Sequence, residues 1–202
     1  MGTIQGLARL AALAGVLALT GCVTAENSLS ANDIAAMKLT GVTVAYAPEA
    51  GIRWDDGIRA YAASKGIVDD MASGTNTPEG KAWVRNALTP HIKNGVERQM
   101  AGQLNGARPV RLEVVVNSFA IASAVERVVL GGGHVMNADA SLVDARTGAV
   151  ILRHPNLTVS VAAVGGLIPT VVVSAMEAGT DTTDTLANNW GATYRDWLLH
   201  RA

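Results

Sequence analysis

The sequence predicts an α+β domain, in which a largely antiparallel sheet of four to five strands carries two main helices packed on one face. Two long segments place apolar residues at helical spacing, and several shorter segments alternate between apolar and polar residues, as half-buried strands do. Along the chain these segments run strand, helix, three strands, helix. Because strands joined by short turns pair antiparallel, this order favours a meander covered on one side by the helices.

The first strand is predicted over residues 37–47. Four larger residues there alternate with smaller or polar neighbours: Leu39, Val42, Val44 and Tyr46. Gly41 is placed where a bulge could form. Residues 23–36 are small and polar without a sustained period, which predicts a tether. Residues 48–80 carry a weak helical pattern interrupted by glycines, and we interpret them as an insertion.

A long helix is predicted to begin at Thr77-Pro78-Glu79, which offers a capping hydroxyl, a proline at the first helical position and an acid in the first turn. Its apolar residues recur at every fourth position: Val84, Leu88, Ile92, Val96, Met100 and Leu104. Pro90 lacks an amide donor and clashes with the preceding turn, so we expect a kink or a restart near Thr89. Asn105-Gly106 is the predicted end.

Three strands of a meander are predicted next, over residues 110–119, 134–144 and 149–153. Residues 144–148 (DARTG) form a tight turn between the last two, because Gly148 can adopt a positive φ. The final helix is predicted to be capped by Thr180 and Asp181. It carries an apolar stripe that we expect to lie across the sheet, with its two tryptophans in the core: Leu186, Trp190, Tyr194, Trp197 and Leu198.

Residues 155–176 contain no charged side chain and are long enough in principle to cross a membrane. Glycines, a proline and several hydroxyl residues weaken that interpretation. We favour a fourth meander strand over 157–162, a turn at Gly165-Gly166 and a short buried helix begun by Pro169. The alternative is a hairpin that touches the membrane or joins copies of the chain.

The N-terminal 22 residues form a pattern of their own. The uncharged run from Leu10 to Leu19 has the length of a signal-peptide apolar region and is too short to span a bilayer of about 30 Å. It ends in Leu19-Thr20-Gly21-Cys22, which resembles the lipobox of bacterial lipoprotein precursors position by position. The resemblance implies cleavage before Cys22, diacylation of its thiol and acylation of the new amine, with fatty acyl chains such as palmitate.

This resemblance divides the chain into a signal peptide (1–21), a lipidated tether (22–36) and a single α+β periplasmic domain (37–202). Two or three acyl chains hold a protein firmly, because each buried methylene contributes about 0.8 kcal/mol. Val23 rather than an aspartate follows the cysteine, which in the lipoprotein family suggests sorting to the outer membrane. We therefore expect a lipid anchor in the outer membrane, with the domain facing the periplasm.

Composition excludes several classes of function. Arg9 is the only charge among the first 21 residues, so the remaining 181 residues keep 15 basic and 17 acidic side chains. This balance argues against a nucleic-acid partner, which needs clustered Lys and Arg. The four histidines have no ligand spacing and Cys22 is the only cysteine, so we expect no metal site and no cofactor. The carboxylate pairs Asp55-Asp56 and Asp69-Asp70 are adjacent in sequence, so their side chains point in different directions and are not preset as acid and base. No nucleophile-elbow sequence is present, and we expect no catalytic residues.

A second resemblance covers about forty residues, from Arg111 to Ile151. This segment looks like the hairpin core of small envelope lipoproteins of unknown function. Its parts are a strand, the Gly131-Gly132-Gly133 connection and a second strand that ends in the Val143–Gly148 turn. The layout is also similar to the periplasmic domains of transport-auxiliary and curli-secretion lipoproteins. The resemblance implies this architecture and the formation of complexes, and it implies no active-site residues.

Two apolar, glycine-containing segments are candidate contacts for a protein partner. The first is the predicted hairpin tip Val129, Leu130, Gly131, Gly132, Gly133 and His134; the second is the predicted turn Gly165, Gly166 and Leu167. The triple glycine lacks the Lys and the Ser or Thr of a phosphate loop, so a flexible hairpin tip is favoured.

We therefore expect a membrane-anchored, non-catalytic protein-binding or assembly module of the cell envelope. One alternative is an oligomeric secretion or transport subunit that uses residues 155–176 as a membrane or subunit interface. A second is a periplasmic hydrolase, which would have to assemble its catalytic residues through the fold alone.

Overall fold

The computed structural model describes residues 25–123, 133–161 and 182–201. The elements in chain order are α1 (Ala31–Ala35), β1 (Met37–Arg53), α2 (Asp55–Lys65), α3 (Met71–Thr75), α4 (Pro78–Met100), β2 (Arg108–Ala120), β3 (His134–Asp144), β4 (Val150–Val161) and α5 (Thr182–Leu198). The four strands form one sheet in the order β1-β2-β3-β4. β1 and β2 are parallel, because α4 crosses over between them, and the other two pairs are antiparallel. The predicted α+β class is confirmed.

The core lies between the sheet and the pair α4 and α5. Alternate residues of the two central strands face the helices and are at most 1% exposed: Val110, Leu112, Val114, Val116, Met136, Ala138, Ala140 and Leu142. The predicted apolar residues of α4 are all buried, and so are Leu186, Trp190, Tyr194 and Leu198 of α5. Trp190 is fully buried and donates its indole N–H to Leu157 O at 3.0 Å, so its predicted core position is confirmed.

Small residues bring α4 and α5 into close contact. A Cβ added at Gly95 would lie 2.7 Å from Ala187 Cβ, and one added at Gly191 would lie 3.0 Å from Val96 Cα. Both distances are shorter than ordinary contacts between carbon atoms. The two helices therefore pack backbone against backbone, and larger residues here would push them apart.

Helix α4 differs from the prediction in two respects. It runs without a break through Pro90, so the expected restart is wrong. In the turn before the proline, the Arg85 carbonyl accepts hydrogen bonds from Thr89 Oγ1 at 2.9 Å and from the Tyr46 hydroxyl at 2.8 Å, which help to hold that turn. The helix ends at Met100, not at Asn105-Gly106.

Gly106 is needed for a different reason from the predicted helix end. A Cβ at this position would lie 2.2 Å from the carbonyl carbon of Ala36, so only glycine allows the two backbones to approach. The turn after the helix contains Gly102, which has a positive φ of 70°. Sequence alone could not distinguish these two uses of glycine.

The predicted third and fourth meander strands are one strand. β4 runs from Val150 to Val161 and passes through Pro155, which a strand at the edge of a sheet tolerates. Its register with β3 shifts between Ala138 and Ala140, opposite Asn156, whose φ is 52°. The Asn156 N–H donates to Asp139 Oδ1 at 2.8 Å, which supports the irregular backbone. The predicted insertion at 48–80 contains the end of β1 and the helices α2 and α3.

The predicted turn at 144–148 is confirmed, with Gly148 at a φ of 73°. The Asp144 carboxylate accepts the backbone N–H groups of Arg146 at 3.1 Å and Thr147 at 3.2 Å, and Arg108 Nε at 3.2 Å. These backbone hydrogen bonds lower the pKa of Asp144 below its ordinary value, and the hydrogen bond and positive charge of Arg108 make a smaller contribution in the same direction.

Gly95→Leu should destabilise the protein by about 1–3 kcal/mol, because the added side chain overlaps the backbone of α5. Urea unfolding followed by circular dichroism measures the change. Gly41→Ala is the control, since a Cβ at Gly41 meets nothing within 4 Å. Equal midpoints for Gly95→Leu and the wild type would refute the close packing of the helices.

Asp144→Ala should destabilise the protein at neutral pH and lose this effect in acid. The pKa of the Asp144 carboxyl is lower in the folded state than in the unfolded state, where it is about 3.9. The charged carboxylate therefore stabilises the folded state above the unfolded pKa. This stabilisation is lost as the pH falls through the lower pKa of the folded state. Urea midpoints of wild type and variant at pH 7 and pH 3 measure the difference. Asp69→Ala is the control. A difference that persists unchanged at pH 3 would contradict the proposed role of the charge.

Candidate functional site

The first described residues are fixed to the C-terminal end of α5. Four contacts join the two segments. Trp197 Nε1 donates to Ala25 O at 2.8 Å, and Asn27 Nδ2 donates to Trp197 O at 3.2 Å and to Leu198 O at 2.8 Å. His200 Nε2 lies 2.9 Å from Leu29 O. The last carbonyls of a helix have no partner within it, so the Asn27 amide acts as a cap supplied from 171 residues away. We call residues 25–29 together with the end of α5 the anchor end.

Helix α1 continues this folded segment toward β1. Ser30 and Asp33 form a capping box, in which Asp33 Oδ2 accepts from Ser30 N at 3.0 Å and Ser30 Oγ accepts from Asp33 N at 3.1 Å. The hydrogen bond from the Ser30 side chain lowers the pKa of Asp33. Ile34 is buried in the core.

The predicted tether of residues 22–36 is therefore wrong for residues 25–36, which belong to the folded domain. The sequence prediction failed because this segment is held by hydrogen bonds and one buried isoleucine, and neither produces a period. The sequence did contain one signal, the Ser30-x-x-Asp33 spacing at the start of a helix.

Only a short piece of chain separates Cys22 from the anchor end. Leu19, Thr20, Gly21 and Cys22 lie outside the described residues. Three Cα–Cα steps join Cys22 to Ala25, so their Cα atoms are at most about 11 Å apart in any conformation. Because Ala25 contacts Trp197, the attachment point at the Cys22 Cα is limited to the neighbourhood of the C-terminal end of α5.

Most of the predicted partner contacts lie outside the described residues: Val129, Leu130, Gly131, Gly132, Gly165, Gly166 and Leu167. Gly133 is described and half-buried. His134 is only 3% exposed, and its Nδ1 accepts the Ala122 N–H at 3.1 Å. It occupies an inward position of β3, on the same face as Met136, so its proposed contact with a partner is wrong.

Residues 155–176 are described only as far as Val161, and that part is the second half of β4. The turn and helix expected after it lie outside the described residues, as do the predicted caps Thr180 and Asp181. Within the three described ranges, no helix combines the length and the apolar character needed to cross a membrane.

Among the side chains that can serve in catalysis or metal binding, one histidine and one aspartate form a close pair. His91 Nδ1 lies 2.8 Å from Asp184 Oδ1, and the His91 ring meets Trp54 edge to face with centroids 5.6 Å apart. This pair joins α4 to the first turn of α5, where it supports the packing of the helices. Over residues 25–123, 133–161 and 182–201, no three His, Cys, Asp or Glu side chains converge as a metal site would require.

A cavity of about 450 Å³ opens between the end of β1 and helices α2, α3 and α4. Its lining residues are Ala50, Gly51, Ile52, Ile58, Ala72, Ser73, Thr75, Asn76, Lys81, Val84 and Arg85. The sequence pattern did not indicate this cavity, because residues 48–80, with their weak helical pattern, were interpreted as an insertion. The available signal was the spacing of Lys81 and Arg85, which lie one turn apart on the predicted long helix.

Arg85 closes one side of this cavity. Its Nη2 donates to Pro48 O and Ala50 O, both at 3.3 Å, and its guanidinium carbon lies 5.7 Å from the centre of the Tyr46 ring. The side chain is therefore oriented by the last part of β1.

Several solved structures resemble parts of this fold weakly. One, a protein assigned as a lipoprotein from Caulobacter crescentus, shares 19% identity and a TM-score of 0.36, with 55% of this chain and 80% of that chain covered. The PelC dodecamer from Paraburkholderia phytofirmans shares 14% identity and a TM-score of 0.31, with 78% and 87% covered. Lipoprotein GNA1162 from Neisseria meningitidis shares 13% identity and a TM-score of 0.25, with 73% and 99% covered. Scores of this size do not establish a common function.

No curated protein matches the sequence. A family model described as a family of unknown function (DUF6778) matches residues 84–202, which is more than half of the chain. The matched region includes most of α4, strands β2 to β4 and α5, and thus the two helices and three strands that enclose most of the core. The chain belongs to this family of unknown function, DUF6778.

Proposed function

We propose that the protein is a lipid-anchored, non-catalytic module of the bacterial cell envelope, held at the periplasmic side of the outer membrane, where it binds another envelope protein. The observation that carries the proposal is the lipobox Leu19-Thr20-Gly21-Cys22 at the end of an uncharged run. Acylation of Cys22 supplies the membrane attachment, and the folded domain supplies the surface for the partner.

The anchor end supports this proposal. A domain that begins within about 11 Å of an acylated cysteine stays near the lipid headgroups and cannot diffuse away on a long linker. Trp197 lies in this region and is only partly buried, and tryptophan is favourable at membrane–water interfaces. The domain accordingly presents its surface to partners in the same membrane.

The sheet face away from α4 and α5 suits protein contact better than catalysis. In the described strands it carries a connected polar network, in which Asn117 Nδ2 donates to Asn137 Oδ1 and Asp139 Oδ1, both at 3.0 Å. Arg111 and Glu113 form an ion pair at 2.5 Å on the same face. Such a face is half-exposed and hydrogen-bonded.

Mass spectrometry of the processed full-length protein from a Gram-negative host tests the anchor. We expect the N-terminal peptide to begin at residue 22 and to carry acyl chains, and the protein to fractionate with membranes. Cys22→Ser should leave the signal peptide attached and the acyl mass absent, whereas the control Thr24→Ala should be processed normally. A wild-type peptide with a free thiol, or one that begins elsewhere, would refute the proposal.

Charge substitutions test the partner contacts. Val129→Asp and Leu167→Asp should each reduce recovery of the crosslinked partner from intact cells at least tenfold, because a charge in an apolar contact must lose its water. The matched control is Val68→Asp, since Val68 is 83% exposed in a different part of the domain. Thermal unfolding should be unchanged in all three variants. Equal recovery of the same partners by all of them would contradict the assignment of these contacts.

A further inference from the structure

We propose that the cavity between β1, α2, α3 and α4 is a binding site for a small amphiphilic carboxylate, with a medium-chain fatty acid as the ligand class. The cavity volume of about 450 Å³ falls within the range of small-molecule sites, which is roughly 300–1,000 Å³. This inference does not depend on lipidation or on a protein partner.

The charge of the cavity wall indicates an anionic ligand. Lys81 and Arg85 both line the cavity and are four residues apart on α4, so they lie on the same side of the helix. Like charges at this spacing repel each other. No aspartate or glutamate is among the described lining residues, and neither cation has an ion pair within the described part of the chain. An anion between the two cations would relieve this repulsion.

The orientation of Arg85 leaves donors for that anion. Only its Nη2 is used by the carbonyls of Pro48 and Ala50, and a guanidinium has five N–H donors in a planar fork. A carboxylate matches this fork geometry and can accept two parallel hydrogen bonds. Lys81 adds a mobile ammonium one turn away, which can approach the same oxygen atoms.

The remaining wall combines three polar residues, Ser73, Thr75 and Asn76, with a larger apolar part, which favours a ligand with an aliphatic body over a free inorganic anion. Ile52, Ile58 and Val84 contribute branched apolar side chains from three different elements, and Ala50 and Ala72 add small apolar surfaces. Tyr61 and the other aromatic residues do not line the cavity, so the wall offers no surface for stacking a planar ring. An alkyl chain fills such a space best.

The base of the cavity is held firmly in place. A Cβ at Gly80 would lie 2.3 Å from Thr75 O, so the end of α3 rests directly against the first turn of α4. Thr75 Oγ1 donates to Met71 O at 2.7 Å, and Thr77 Oγ1 accepts from Gly80 N at 3.0 Å, which fixes the connection between the helices. The site is therefore largely formed before a ligand binds.

Calorimetric titration of octanoate into the full chain in nanodiscs, with empty nanodiscs subtracted, tests the proposal. We expect saturable binding of one octanoate, and affinity at least tenfold lower for Lys81→Gln. Lys93→Gln is the matched control on the same helix, since Lys93 faces Glu97 at 3.8 Å and does not line the cavity. Ala72→Trp keeps both cations and fills the space, so it should also weaken binding at least tenfold.

Two further ligands separate the contributions of head and tail. Octylamine has the same tail with the opposite charge, and acetate has the same head without the tail; both should bind at least tenfold more weakly than octanoate. Melting temperatures within one degree of the wild type confirm that the variants are folded. Any of three results would overturn the proposal. The first is octanoate uptake that does not saturate, and the second is equal octanoate affinity in the wild type and folded Lys81→Gln. The third is equal affinity of the wild type for octylamine and octanoate.

Discussion

The backbone contact between α4 and α5 is the constraint on which the rest of the structure depends. Gly95 and Gly191 allow the two helices to approach so closely that both can cover one face of a four-stranded sheet. The same contact fixes the end of α5, where Asn27 and Ala25 are held. At the other end of the pair, the first half of α4 forms one wall of the cavity. The two candidate functional features thus lie at opposite ends of this helix pair.

Residue periodicity predicted the parts of the fold whose cause is local. The apolar residues of α4, the alternation of β2 and β3, and the turn with Gly148 are all present as expected, because each follows from the geometry of a single element. Residues whose role depends on distant partners were not predicted. His134 faces the core, Gly106 permits contact with Ala36, and Asn156 allows β4 to continue past Pro155.

The same distinction applies to the functional features. The proposed lipobox is four consecutive residues, Leu19-Thr20-Gly21-Cys22, so the resemblance that carries it needs no structure. The anchor end joins residues more than 170 positions apart, and the cavity draws its wall from β1, α2, α3 and α4. Such contacts produce no local sequence pattern. Only the folded structure shows that residues 25–36 belong to the domain and that Lys81 and Arg85 line the same cavity.

We propose that the folded domain begins directly after an acylated Cys22 and therefore rests near the membrane surface. A spin label at Glu26→Cys tests this placement, because Glu26 is exposed and acylation of Cys22, the only other cysteine, would leave no second thiol to label. In membranes, the account predicts a slowly moving label at the depth of the lipid headgroups. A rapidly moving label that is accessible only to water-soluble relaxation agents would contradict it.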